Sequence, residues 1–168
     1  EALVGGSLGA GAKATGELAS SGGKPTVELF GGKNAQTLGA INVDIRADIQ
    51  SGIRGDATKL PFKDSSVGEI VASNPFIPKS AGGTNSMMDF LPEATRVVEP
   101  GGKIFVNANA ANPYGKIPST SELESLGLRI IQNGSLDSRF AGQTFLRTDG
   151  SIITNLDIMK TIVLEKLK

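Results

Sequence analysis

The 168-residue chain contains no cysteine, no histidine and no tryptophan. Without Cys there are no disulfides and no thiolate nucleophile. Without His there is no imidazole base, and the usual sulfur and nitrogen ligands of zinc sites are gone as well. Any chemistry falls to carboxylates, Lys, Arg, Ser, Thr, one Tyr and side-chain amides. Net charge is missing too: 17 basic residues balance 17 acidic ones, so no global field draws the chain onto nucleic acid, although a local basic patch stays open. No apolar run reaches the length of a membrane span, and no segment has the basic start and apolar middle of a signal peptide. What is present, 39% hydrophobic and 20% charged residues, is the balance of one domain with a real core.

Glycine is abundant where the chain begins. Gly5-Gly6, Gly9, Gly11, Gly16 and Gly22-Gly23 interrupt any helical stripe that Leu3, Leu8 and Leu18 could form. Residues 1–25 therefore read as a Gly/Ala/Ser-rich linker or arm, with the domain proper at residues 26–168. The first residue is Glu and not Met, from which we expect a piece cut from something longer.

From Thr26 onward the pattern is one of short strands and connections. Val27–Phe30, Ala40–Ile45, Gly52–Asp56 and Glu69–Ser73 read as strands, the first ended by Gly31-Gly32. A helix is expected from Asp89, as its cap, to about Val98, with Pro92 in the first turn where its missing N–H costs little. Glu99-Pro100-Gly101-Gly102 should stop it and lead into a strand over Lys103–Asn107. Ser119 and Glu122 have the spacing of a capping box opening a helix to Leu126. Leu128–Ile131 and Met159–Leu164 read as the last strands, with a hairpin over residues 143–154 about Asp149-Gly150.

Three stretches carry a resemblance. Gly55-Asp56-Ala57-Thr58-Lys59-Leu60-Pro61-Phe62, Asn74-Pro75-Phe76 and Glu93-Ala-Thr-Arg96-Val-Val-Glu-Pro100-Gly101-Gly102 succeed one another in an order that resembles the class I S-adenosylmethionine (SAM)-dependent methyltransferases, over residues 26 to 167. The resemblance implies an α/β fold: a compact Rossmann-like, mostly parallel sheet with an antiparallel C-terminal hairpin. It also implies a cofactor set. Gly31 and Gly32 match the turn that cradles SAM, Asp44 the acid that binds its ribose, and Asp56 with Ala57 the adenine-binding turn. Asn74-Pro75-Phe76 resembles the Asn-Pro-Pro-aromatic motif of amino-group methyltransferases but lacks the second Pro. The candidate catalytic residues are Asn74 from this motif, Asp56 at the third strand end, and Asn107 from an amide-rich strand exit that includes Asn109, Asn112 and Tyr114.

The departure is in the crossovers. Only residues 33–39 separate Gly32 from Ala40, and only 46–51 separate Ile45 from Gly52, whereas a parallel crossover usually takes a dozen residues or more. Either both crossovers are reduced to loops or these strands pair differently. The loss of a helix wall counts against SAM, so weak or no binding is expected. Asp44 has an alternative role as a turn residue closing its strand.

The glycine-rich arm, the non-Met start and the compact body also resemble the C-terminal toxin domains of bacterial polymorphic, contact-dependent growth inhibition systems. That likeness implies delivery from a larger surface protein, action in a target cell's cytoplasm, a cognate immunity protein as partner and RNA such as tRNA as target. Arg46, Arg54, Lys59 and Lys63, clustered around the second and third strand ends, would be its nucleic-acid contacts; as solvated charges they would do nothing specific. Three readings stay open: an RNA-directed toxin, a working SAM-dependent methyltransferase of an amino group, or an inactive fold that binds a partner.

Overall fold

A computed structural model describes residues 23–168 of the chain. Seven strands, β1 (Thr26–Leu29), β2 (Ile41–Asp44), β3 (Ile53–Arg54), β4 (Val67–Ser73), β5 (Val98–Asn109), β6 (Leu128–Ser135) and β7 (Met159–Lys166), form one sheet in the order β3-β2-β1-β4-β5-β7-β6. The first five run parallel, and β7 lies antiparallel between β5 and β6. This is the expected α/β architecture with its antiparallel C-terminal hairpin. Of the expected arm, only residues 23–25 lie among the described residues.

The short crossovers are loops, and the strands still pair in parallel, Val27 opposite Ile41 and Val43 opposite Ile53. Such loops have no internal hydrogen-bond ladder, so their backbone groups must find partners elsewhere. Glu28, fully buried on β1, accepts from the backbone N–H groups of Gln36 and Thr37. The carbonyl of Lys33 accepts from Gln50 and Ser51, tying the first loop to the second.

Among the described residues, two α-helices cover one face. α1 spans Leu91–Val97 and α2 spans Thr120–Leu126. The capping box of α2 forms as expected, with Ser119 and Glu122 each bonding the other's backbone N–H. At α1 the expectation needs correcting. Pro92 is in the first turn, but the cap position is Phe90 and no side chain caps it. Asp89 is instead engaged by Thr84 and by the phenol of Tyr114, which take up its carboxylate oxygens. Ile70 and Ile104 of the sheet pack with Leu91, Ala94 and Leu123 of the helices.

Strand alternation sends Val71 and Phe105 to the opposite face. No α-helix covers that face among the described residues; the connection between β6 and β7 does, burying Phe140, Phe145 and Ile153 against Val71 and Met159. Arg139 anchors it, with a two-pronged bond to Glu69 on β4 and its guanidinium 5.0 Å from the Phe105 ring and 5.3 Å from the Phe140 ring. The hairpin within this connection is small, a single bridge between Leu146 and Ile152.

Candidate functional site at the carboxyl edge of the parallel strands

β2 and β3 lie to one side of β1 while β4 and β5 lie to the other, so the sheet reverses direction between β1 and β4. Open α/β sheets bind ligands outside the carboxyl ends of their strands at this point. A cavity of about 890 Å³ lies there, walled by the strand ends of β1 to β4, the exit of β5 and the segment Thr144–Gly150.

The strands flanking the crevice end in two non-glycine residues in left-handed backbone conformation, Phe30 after β1 (φ 62°) and Asn74 after β4 (φ 43°). A bulky side chain in this region is strained, and such strain persists where the surroundings dictate it. Phe30 is held by its N–H to the carbonyl of Val43 and by an edge-to-face contact with Phe90 at 5.3 Å. Asn74 joins three segments. Its Oδ1 accepts from the Asn109 N–H and from Asn112 Nδ2, and its Nδ2 donates to the carbonyl of Leu146.

The turn after Phe30 is clasped to β2. The Gly32 N–H donates to Asp44 Oδ2 at 2.8 Å, while Asp44 Oδ1 accepts from the Arg46 N–H. A Cβ on Gly31 would sit 2.3 Å from Asn42 Oδ1 and 2.6 Å from Glu28 Oε2, so only glycine lets the turn lie this close to two buried side chains. We expect Gly31→Ala to cost about 2–3 kcal/mol through this overpacking. The check is a chemical denaturation curve; an unchanged midpoint would show that Asn42 and Glu28 yield freely.

Asp56 closes an Asx turn, its Oδ1 accepting from the N–H and the hydroxyl of Thr58. Ala57 is buried against the core beside it. Ser73 lines the cavity, and its Oγ is buried without a hydrogen-bond partner. Asn42 Oδ1 behind the turn is likewise buried and unpartnered.

The structure thus brings Gly31, Gly32, Asp44, Arg46, Asp56, Ala57 and Asn74 to one cavity. It places Asn107 elsewhere: the residue is fully buried, gives Thr161 an acceptor and is absent from the cavity wall. Arg54, Lys59 and Lys63 also lie outside the wall. Arg54 donates to the carbonyl of Ile45, and Arg46, at the wall, is bound to Asp48. Tyr114, counted with the polar strand exit, is a buried brace, bonding Ile77, Asn85 and Asp89. Burial pushes its phenol up, and the hydrogen bond to Asp89 adds to this. Burial pushes the Asp89 carboxyl up as well, but the hydrogen bonds from Thr84 and Tyr114 prevail and hold it below its ordinary range. Sequence reasoning missed Phe30, Ser73 and the Thr144–Gly150 wall; Phe30 gives no signal, because nothing in its neighbours announces a left-handed turn at an aromatic residue.

No protein-family profile matches this chain, and no curated protein sequence does. Solved structures do match. The 16S rRNA (adenine(1408)-N(1))-methyltransferase from Catenulisporales acidiphilia superposes with a TM-score of 0.58 at 12% identity, over 99% of this chain and 98% of that one. A SAM-dependent methyltransferase from Methanosarcina mazei gives 0.55 at 14% identity, over 85% and 92%. Geranyl diphosphate C-methyltransferase from Streptomyces coelicolor A3(2), solved with Mg²⁺, geranyl diphosphate and S-adenosyl-L-homocysteine (SAH), gives 0.53 at 14% identity, over 93% and 80%. At such identities the likeness is one of fold. The fold is that of the class I SAM-dependent methyltransferases.

Proposed function

We propose that the cavity binds SAM and that the chain is a compact methyltransferase. The observation that carries this reading is the clasp of the Gly31-Gly32 turn on the Asp44 carboxylate, set in a cavity at the sheet's reversal point. The donor set fits the cofactor. Asp44 would take the ribose hydroxyls, and Asp56 and Ala57 the adenine end. When bound, SAM supplies an electrophilic methyl group.

The short crossovers argued against binding because the family's helix wall is gone. A replacement wall supports the opposite conclusion. Gln36, in the first loop, makes a paired amide contact with the backbone of Thr144, and Asn74 holds Leu146. Among an RNA-directed toxin, a methyltransferase and an inactive partner-binding fold, the methyltransferase is the one this architecture favours. RNA cleavage, delivery as a toxin and an immunity partner draw no support from it. Among the described residues no helix is long and apolar enough to cross a membrane.

Calorimetric titration with SAM and SAH tests the reading. We expect saturable binding, weakened about 10- to 30-fold in Asp44→Ala, the equivalent of about 1.5–2 kcal/mol for charge-assisted hydrogen bonds lost. Asp44→Asn, which keeps an acceptor for Gly32, separates loss of the ligand contact from loss of the clasp. Folded protein that takes up neither compound at millimolar concentration would refute the proposal.

A further inference from the structure

One hairpin of the cavity wall is fixed only at its base. Phe145 and Ile153 are buried in the second core, and the Ile153 N–H donates to the Phe145 carbonyl, so the two ends are joined. Just before them Thr144 is pinned to Gln36 by two bonds, at 2.6 and 2.7 Å. Beyond this base the character changes. Residues 146–152 are all exposed, although 146–150 line the cavity.

The hairpin holds its own shape. The Arg147 N–H donates to the Ser151 carbonyl, and the Gly150 N–H to the Arg147 carbonyl. Arg147 Nη1 donates to the Ile152 carbonyl, and Asp149 Oδ1 accepts from the N–H and hydroxyl of Ser151. All of these bonds stay within the hairpin. Among the described residues, one hydrogen bond ties residues 146–152 to the rest of the protein, from Asn74 Nδ2 to the Leu146 carbonyl at 2.8 Å. A self-contained hairpin with a buried base and a single outside bond can move as a unit at little cost.

Asn74 is shaped for that bond. Its left-handed backbone (φ 43°) is one that Asn tolerates better than most residues. Its Oδ1 is fixed by the Asn109 N–H and Asn112 Nδ2, which leaves the planar amide to present Nδ2 to Leu146. The net worth of such a bond is about a fivefold bias toward the closed position, small enough for a ligand to reinforce. Leu146 supplies the reinforcement. It is 46% exposed where it faces the cavity, so a molecule seated there gains its apolar contact only while the hairpin is closed. That is the differential affinity a population shift requires.

We infer that residues 145–153 form a lid on the cavity, hinged at Phe145 and Ile153 and latched by the Asn74 side chain, which makes Asn74 a positioning residue. That SAM or SAH is the ligand under the lid rests on the methyltransferase reading.

Trypsin reports the lid's position, because Arg147 is the one Lys or Arg within it and cleavage of a transiently open segment tracks its open population. Lys103, within β5, is the control site for general unfolding. Two substitutions release the latch. Asn74→Asp keeps the Oδ1 acceptor but loses the Nδ2 donor, and Asn74→Gly is uncharged and unstrained at this backbone angle. Each should speed cleavage after Arg147 about fivefold over cleavage after Lys103, and SAH should dissociate faster by about the same factor. In the wild type, SAH at ten times its dissociation constant should slow cleavage after Arg147 by up to about tenfold. Wild-type cleavage rates in both variants, an equal rise at Arg147 and Lys103, or SAH that binds without slowing cleavage would each overturn the inference. SAH that does not bind counts against the methyltransferase reading alone, since cleavage of the free proteins still decides whether Asn74 is the latch.

Discussion

Replacing Glu28 by Ala should cost about 2–3 kcal/mol, because the buried Thr37 N–H left unsatisfied costs on the order of 1–3 kcal/mol and the more exposed Gln36 N–H loses its acceptor at the same time. Glu28 is fully buried in the middle of β1, and among the described residues no cation pairs with it. Its stabilising partners are backbone amides, those of Gln36 at 3.1 and 3.2 Å and of Thr37 at 2.9 Å. These amides belong to the loop that stands in for the missing crossover helix, and a loop cannot satisfy them internally. Glu28→Gln keeps one acceptor oxygen and should lose about half as much. Urea denaturation of both variants is the check. SAH affinity should fall in parallel, since Glu28 Oε2 also lies against Gly31 of the cavity turn. A loss below about 0.5 kcal/mol in Glu28→Ala would mean that the loop holds itself and that the carboxylate is incidental.

The fold is legible in the sequence because its motifs are joints between elements. The Leu60-Pro61-Phe62 turn and the Glu93-x-x-Arg96 stretch look like separate landmarks along the chain. In the structure they are one junction: Glu93 accepts from the Leu60 N–H, and Arg96 donates to the carbonyls of Leu60 and Phe62 as well as to Glu93 and Asp64. Motifs that bond each other keep their order and spacing. The strand ends are legible for a similar reason, since Asp44, Asp56 and Asn74 each satisfy local backbone groups where a strand stops.

Other features leave no local trace. The backbone of the first crossover loop is satisfied by Glu28, which in sequence is only one polar residue in an apolar strand. Asn107 groups with Asn109 and Asn112 in sequence as a strand exit, but β5 continues to Asn109, so Asn107 sits inside the sheet and faces Thr161 on β7. Of the cluster Arg46, Arg54, Lys59 and Lys63, Arg46 alone reaches the cavity wall. The hairpin about Asp149-Gly150 is visible in the sequence, but that it walls the cavity depends on contacts between residues about a hundred positions apart, Gln36 with Thr144.

Acid should detach that wall, and Arg139 is the group through which it happens. Arg139 and Glu69 form a two-pronged, partly buried ion pair, 70 positions apart in the chain. Burial pushes the Glu69 carboxyl up, but hydrogen bonds from Arg139 and Thr26 prevail and hold it below its ordinary range. A carboxyl lowered in the folded state contributes stability above its unfolded value, near pH 4.3 by ordinary reference, and loses it as pH falls through the folded value, so the effect should develop below about pH 4. In Arg139→Ala the ion pair goes at every pH, along with the guanidinium over Phe105 and Phe140, for a loss of about 2–3 kcal/mol at pH 7. Arg139→Lys keeps the charge but not the fork, and should recover less than half. Proteolysis or hydrogen exchange at Thr144–Gly150 should rise in Arg139→Ala, and SAH affinity should fall with it, because that segment is a wall of the cavity. Glu69→Gln supplies the pH test: its stability should lie below that of the wild type at neutral pH and converge with it toward about pH 3. A constant gap between the two across that range would remove the Glu69 carboxylate from the account and leave Arg139 holding the connection by its aromatic contacts alone.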